Sequence, residues 1–194
     1  ELDALGARLS ARVVGLRAPV AQAAELGTLL YDELGFRGNE EAYQDPRNSY
    51  LNEVLARRLR IPISLAVLLL AVGRRAGLDV AGVGFPGHFL VGLGPDAARV
   101  VVDPFHGGRL LTRGDLVERV RQQLGPDAPL DPAYLRPVTH RQLLVRLLNN
   151  LKAIHARAGQ DALTLRVLDL LLALVPGLAE ERRDRGLLRA RLRQ

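Results

Sequence analysis

One apolar run followed by three short strand-like segments constrains this 194-residue chain more than any other feature. Residues 63–76 are apolar almost without a break, which predicts a buried helix rather than an amphipathic surface helix. Pro62 suits the first turn of that helix, because proline lacks only a donor that would have no partner there. Residues 79–85, 88–93 and 99–102 are rich in Val and Leu and are separated by Pro and Gly, so they predict strands.

The loop between the second and third strands predicts which residues face each other. If residues 94–97 form the turn, Leu93 pairs with Ala98, and the same register pairs His88 with Asp103. Directly opposed residues of an antiparallel pair share a face, with Cβ atoms roughly 4.5–5.5 Å apart. We therefore expect Asp103 to hydrogen-bond an imidazole nitrogen of His88. A register shift of two residues would remove this contact.

A carboxylate that orients a histidine is the base part of a nucleophilic triad. The nucleophile is then expected at a helix start, where the helix dipole favours negative charge, and Ser64 is the only hydroxyl in that first turn. This pattern makes Ser64, His88 and Asp103 the candidate catalytic residues. The structural alternatives are a capping role for Ser64 within the first turn and a hydrogen-bonded structural role for His88.

Four segments of the sequence carry a resemblance to a known family. They are DPRNSYLNEVL (45–55), IPISLA (61–66), GFPGHFL (84–90) and DPF (103–105), and together they resemble the SirB1 family. That family joins a transglutaminase-like (papain-like) domain to tetratricopeptide-like helices and has a regulatory or housekeeping role in bacteria. The resemblance implies an α+β fold, in which a small antiparallel sheet packs on helices and is followed by an α-helical tetratricopeptide-like region.

The same resemblance exposes a missing nucleophile. Transglutaminase-like enzymes use a cysteine at the helix start, and this chain contains no cysteine. The expected thiol position falls near Pro62, two residues before Ser64, whereas His88 and Asp103 match the other two catalytic positions. A hydroxyl needs much stronger activation than a thiol. The resemblance therefore implies the fold and argues against thiol chemistry.

The segment just before the apolar helix supplies further polar residues. Residues 48–59 predict a helix, and Asn48, Asn52 and Glu53 could line the same cleft together with Pro62. The alternative is that these side chains cap the helix or contact solvent. Two earlier helices are predicted at 2–16 and 20–34, where leucines recur at helical spacing.

The chain divides into three parts. Residues 1–124 form the predicted transglutaminase-like domain, and residues 125–138 form a linker whose four prolines exclude a continuous helix. Residues 139–194 predict three helices, at 139–158, 162–175 and 179–192, that resemble tetratricopeptide packing. One such unit cannot bury its apolar face alone, so we expect it to dock on the first domain or on a partner.

Composition limits the cofactors and partners. The net charge is +6 and comes almost entirely from arginine, but no basic patch interleaved with aromatic residues predicts nucleic-acid binding. The absence of cysteine excludes disulfides and thiolate metal sites, and neither the histidine spacing nor the glycines predict a metal or a cofactor. The apolar run is shorter than the roughly 20 residues that span a bilayer, so we expect a cytoplasmic protein.

Two functions are consistent with these patterns. In the first, a degenerate transglutaminase-like domain without its cysteine acts as a regulatory module that binds a protein partner through its cleft or its helical region. In the second, the chain is a serine-based hydrolase or acyl-transferase in which Ser64 attacks, His88 is the base and Asp103 orients His88. We favour the first because the cysteine is absent. A Ser64 hydroxyl within hydrogen-bonding reach of His88 would favour the second.

Overall fold

The structure, a computed structural model, describes residues 1–39 and 41–192. In these residues, an α+β core is followed by a helical region, which confirms the predicted fold class. The helices are α1 (Leu2–Val13), α2 (Pro19–Gly27), α3 (Leu51–Arg57), α4 (Pro62–Arg75), α5 (Arg113–Leu124), α6 (His140–Arg157), α7 (Asp161–Leu174) and α8 (Ala179–Arg191). The strands are β1 (Arg37–Gly38), β2 (Leu59–Arg60), β3 (Val80–Val83), β4 (Leu90–Leu93), β5 (Val100–Asp103) and β6 (Arg109–Leu111).

Helix α4 is the buried centre of the main core, as its apolar sequence predicts. It begins at Pro62 and ends at Arg75, and Gly77, two residues later, has a positive φ of 80° that suits the chain just after a helix C-terminus. Helix α1 packs closely against α4 because Gly6 has no side chain. A Cβ atom at Gly6 would lie only 2.3 Å from the Cβ atom of Arg75.

The sheet is antiparallel with strand order β3-β4-β5-β6, so β6 adds a short fourth strand to the three predicted ones. The predicted register is wrong by two residues, since Leu93 pairs with Val100 and not with Ala98. The physical reason is a short 3-10 turn at Asp96–Ala98, which lengthens the connection between β4 and β5. His88 also lies outside the sheet, in the turn before β4.

Several predicted helices end earlier than expected, among them α1, which stops at Val13 and not at residue 16. Helix α2 gives way to a π-helical turn at Thr28–Glu33. Helix α3 stops at Arg57, because Arg58 adopts a left-handed conformation with φ of 57°. The chain then forms β2, which pairs in parallel with β1. Strands of two residues show no periodicity, so this pair could not be predicted.

The proline-rich linker lies on the surface of the domain and is held there. Its residues 128, 130, 134 and 135 pack on the apolar cluster between the sheet and α5. The linker then runs along β3, where the N–H of Val138 donates to the carbonyl of Gly82 at 2.8 Å and Pro137 bridges to Val83. These contacts fix the point at which α6 leaves the sheet.

The helical region docks on the first domain. The first half of α6 contributes Leu143 to the main core, and Leu147 packs against that core. Its second half packs with α7 around Leu151, Val167 and Leu171. In the described part of the chain, no helix is both long and apolar enough to cross a bilayer.

Candidate functional site

Ser64 lies in the first turn of α4, and its hydroxyl is used by the backbone. The hydroxyl donates to the carbonyl oxygen of Asn48 at 2.6 Å, with a longer contact of 3.1 Å to the carbonyl of Ile61. It also accepts from the N–H of Ile61 at 3.3 Å. The residue is only 3% exposed. Ser64 therefore joins the start of α4 to the turn that contains Asn48.

Asp103, at the end of β5, is bound by a different set of groups from the one predicted. One carboxylate oxygen, Oδ2, accepts from His106 Nδ1 at 2.7 Å and from Arg119 Nη2 at 2.6 Å. The other, Oδ1, accepts from the N–H of Phe105 at 2.9 Å. Burial raises the pKa of this carboxyl, but the hydrogen bond from His106 and the charge of Arg119 outweigh it, so the pKa is lowered. Asp103 is therefore ionised, and Arg119 and His106 balance its negative charge.

His88 therefore does not donate the predicted hydrogen bond to Asp103. Under the observed register His88 would oppose Phe105, and the position beside Asp103 is taken by His106 and Arg119. Arg119 Nη1 lies 3.4 Å from both ring nitrogens of His88, too far for a strong hydrogen bond. Burial and the charge of Arg119 lower the pKa of His88, so its neutral form is favoured.

The described residues contain no hydrogen bond between Ser64 and His88, or between His88 and Asp103. The structure thus places Asp103 beside one terminal nitrogen of the Arg119 guanidinium and His88 beside the other, and Ser64 makes separate contacts with the backbone. A catalytic role for the three residues stays a prediction.

The four predicted cleft residues have different surroundings. Asn48 is fully buried, where its Oδ1 accepts from Asn39 and its Nδ2 donates to the carbonyl of Ala42. Asn48 therefore shapes the loop before α3. Asn52 is exposed on α3, while Glu53 and Pro62 are half-buried. The role of these residues in a cleft also stays a prediction.

A cavity of about 460 Å³ opens beside His106. Its walls include Leu59, Phe105, His106 and the loop that Asn39 stabilises, with Arg37 and Glu41 also on its surface. Gly38 allows the Phe105 ring to pack against the backbone there, since a Cβ atom at Gly38 would lie 2.5 Å from that ring. Within residues 1–39 and 41–192, no group of three or more His, Asp or Glu side chains is arranged to hold a metal.

The surroundings of Asp103 include groups that the sequence analysis missed. His106 follows Asp103 by three residues, and its ring Nδ1 lies 2.7 Å from the carboxylate. The spacing of three residues could have predicted the contact between His106 and Asp103. Arg119 lies on α5 and reaches Asp103 only through the tertiary fold, so no sequence pattern predicts that contact.

Comparison with known proteins shows the family of this chain. A family model described as the transglutaminase-like superfamily matches residues 1–149, and one described as the tetratricopeptide repeat matches residues 151–194. The chain belongs to the transglutaminase-like superfamily. This transglutaminase-like chain thus combines two known kinds of domain, and both were expected from its sequence. No solved structure matches it.

The transglutaminase-like chain is similar to several curated bacterial proteins. It is 48% identical over 167 residues to a UPF0162 protein of Xylella fastidiosa, covering 84% of this chain and 59% of that protein. It is 33% identical over 190 residues to a UPF0162 protein of Pseudomonas aeruginosa, covering 97% and 69%. A human protein, F-box only protein 21, is 33% identical over 159 residues, covering 76% and 24%. The chain thus spans about 59% of the Xylella relative.

Proposed function

We propose that this chain is a non-catalytic transglutaminase-like protein that acts as a protein-binding regulatory module. The observation that carries the proposal is the hydrogen bond of the Ser64 hydroxyl to the Asn48 carbonyl, at 2.6 Å in a buried position. A serine nucleophile has to give its proton to a base. Here the proton is directed at a backbone carbonyl, which cannot accept it in a reaction.

The electrostatics around His88 support the same proposal. A triad aspartate stabilises the charged imidazole that forms when the base takes a proton. Here Asp103 is already paired with Arg119 and His106, and Arg119 opposes a positive charge on His88. The serine-based hydrolase or acyl-transferase that uses Ser64, His88 and Asp103 gains no support from these contacts.

The binding part of the proposal rests on the helical region. Tetratricopeptide repeats commonly mediate protein–protein contacts, and the repeat match covers residues 151–194, of which the last two lie outside the described residues. We also propose that the chain belongs to the SirB1 branch, on its four sequence segments, and that it is bacterial, as this resemblance implies. A cytoplasmic location is proposed from its short apolar run. Its cleft and its helical region are the two proposed contact surfaces.

The experiment is intact-mass labelling with a broad fluorophosphonate probe. Folded wild-type protein is compared with the variants Ser64→Ala and His88→Ala, and a known serine hydrolase serves as the positive control. We expect no adduct on the wild type under conditions that fully label the control. One adduct on the wild type that both variants lose would show a live serine site and refute the proposal.

A further inference from the structure

Five side chains near Asp103 lie next to one another, and we call them the cleft ring: Tyr43, Phe105, His106, His88 and Arg146. The ring centroids of Tyr43 and Phe105 are 6.3 Å apart, those of Phe105 and His106 are 5.3 Å apart, and those of His106 and His88 are 6.5 Å apart. Arg146, from α6, donates to the backbone carbonyl of His88 at 2.7 Å. Burial raises the pKa of the Tyr43 phenol, and the charge of Arg146 partly opposes that rise.

Arg146 is the unmatched cation of the cleft ring. Its guanidinium lies 5.4 Å from the centre of the Phe89 ring, and burial lowers its pKa. Among the residues that the structure describes, no carboxylate forms an ion pair with it. A guanidinium has five donors, and the bond to the His88 carbonyl uses one of them.

Asp103, which His106 contacts directly, cannot compensate for this charge. Asp103 is only 1% exposed, and its oxygens are occupied by Arg119, His106 and the backbone. Arg119 is thereby matched, and Arg146 is left with a positive charge at a half-open position. An external carboxylate would supply the missing charge, and a guanidinium binds carboxylates through paired N–H donors.

The exposed aromatic surface of the cleft ring suits a peptide. Tyr43 is 43% exposed and the His106 side chain 48% exposed, so an incoming chain meets aromatic surface beside the cation. The 460 Å³ cavity continues from Phe105 and His106 and has both an arginine, Arg37, and a glutamate, Glu41, on its surface. A nucleic acid needs several cations along its phosphates, and this mixed surface does not provide them.

We propose that the cleft ring binds an acidic side chain of a protein partner, with Arg146 forming the ion pair and the aromatic residues packing on the neighbouring part of the peptide. This inference deepens the proposed function and rests on it, because it assigns the chemistry of the partner that the cleft takes. The same contact joins α6 of the helical region to the first domain, so both units take part in binding.

The test is an NMR titration of the whole chain with N-acetyl-glutamate methylamide as the probe. The signals followed are the arginine Nε–H groups and the ring protons of His88 and His106. We expect a saturable shift of the Arg146 signal, with the uncharged glutamine analogue binding at least tenfold more weakly. An Arg146 signal that does not move with the acidic probe overturns the proposal, whatever the variants do.

Variants identify the cation, with the histidine signals as the readout. Arg146→Gln should weaken binding at least tenfold, and Arg146→Lys should retain part of it because the charge remains. Arg141→Gln is the matched control, since Arg141 is an exposed arginine on the same helix, and it should bind like the wild type. If Arg146→Gln is folded by circular dichroism and binds normally, the inference is wrong.

Two further arms separate the possible sources of an anion. Inorganic phosphate and AMP are titrated in parallel, and tighter binding of either one than of the acidic probe would overturn the assignment to a peptide carboxylate.

The fluorophosphonate experiment separates the two proposals. Labelling of Ser64 together with binding of the acidic probe would refute the non-catalytic function and leave the inference in place. No labelling and no binding would refute the inference alone.

Discussion

Replacement of Asp103 by asparagine tests how much the buried ion cluster stabilises the fold. The substitution keeps the shape of the side chain and one acceptor for the N–H of Phe105, but it removes the charge that faces Arg119 and His106. The Arg119 side chain is only 16% exposed, so it would become a largely buried cation without a partner. Asp103 lies on β5 and Arg119 on α5, so the substitution removes an ion pair that joins the sheet to α5.

Removal of one partner from a buried ion pair destabilises a protein by about 3–5 kcal/mol. Asparagine retains part of the hydrogen bonding, so we expect a loss of about 3 kcal/mol in the free energy of unfolding at neutral pH. Urea unfolding followed by far-UV circular dichroism measures it. Asp96→Asn is the control in the same hairpin, because the Asp96 side chain is 89% exposed and its pair with Arg99 should contribute at most about 1 kcal/mol.

The pH dependence has a definite sign. The pKa of Asp103 in the folded protein is lower than that of a free aspartate, which is about 3.9. The carboxylate therefore contributes its full stabilisation above that pH, and the contribution is lost as the pH falls below it towards the folded pKa. The stability difference between wild type and Asp103→Asn should be constant from about pH 5 to 7 and should shrink at about pH 3.

Two results would refute this reasoning. One is a difference below about 1 kcal/mol at neutral pH, which would mean that Arg119 finds water or another partner without loss. The other is a difference that stays the same in acid, which would mean that the charge of Asp103 is irrelevant to its contribution.

The remaining predictions concern packing. Gly6→Ala should destabilise the protein by about 1–3 kcal/mol, because the new Cβ atom meets that of Arg75 at 2.3 Å, whereas Gly27→Ala has open space and should be neutral or stabilising in thermal unfolding. Equal melting temperatures for the two alanine variants would contradict the close packing of α1 on α4. Leu168→Ala in α7 should cost about 2–5 kcal/mol because Leu168 is fully buried, and Leu170→Ala, 55% exposed, should change stability by less than about 1 kcal/mol in urea unfolding. A Leu168→Ala effect as small as that of Leu170→Ala would contradict this burial.

Local signals in the sequence predicted most of the fold. The apolar run and its proline and glycine boundaries gave α4, and the short Val-rich segments gave the strands of the sheet. The leucine spacing after the linker gave α6 and α7. Each of these elements is determined by residues that are close together in the sequence, so a local pattern can predict it.

The candidate site depends on finer details. A 3-10 turn of three residues at Asp96–Ala98 shifted the register, and that shift separated Asp103 from His88. The groups that surround Asp103 come from a turn three residues later and from α5, and Arg146 comes from α6. Such contacts arise from tertiary packing, so sequence patterns gave the candidate residues but not their partners.

The linker along β3 also protects the sheet. The N–H of Val138 and the bridge at Pro137 cover the edge of β3, and an uncovered strand edge is a template on which other chains can add strands. A chain cut after residue 124 would lose this cover together with the part of α6 that completes the main core. Such a fragment should self-associate through β3, so the linker also protects the domain that precedes it from aggregation.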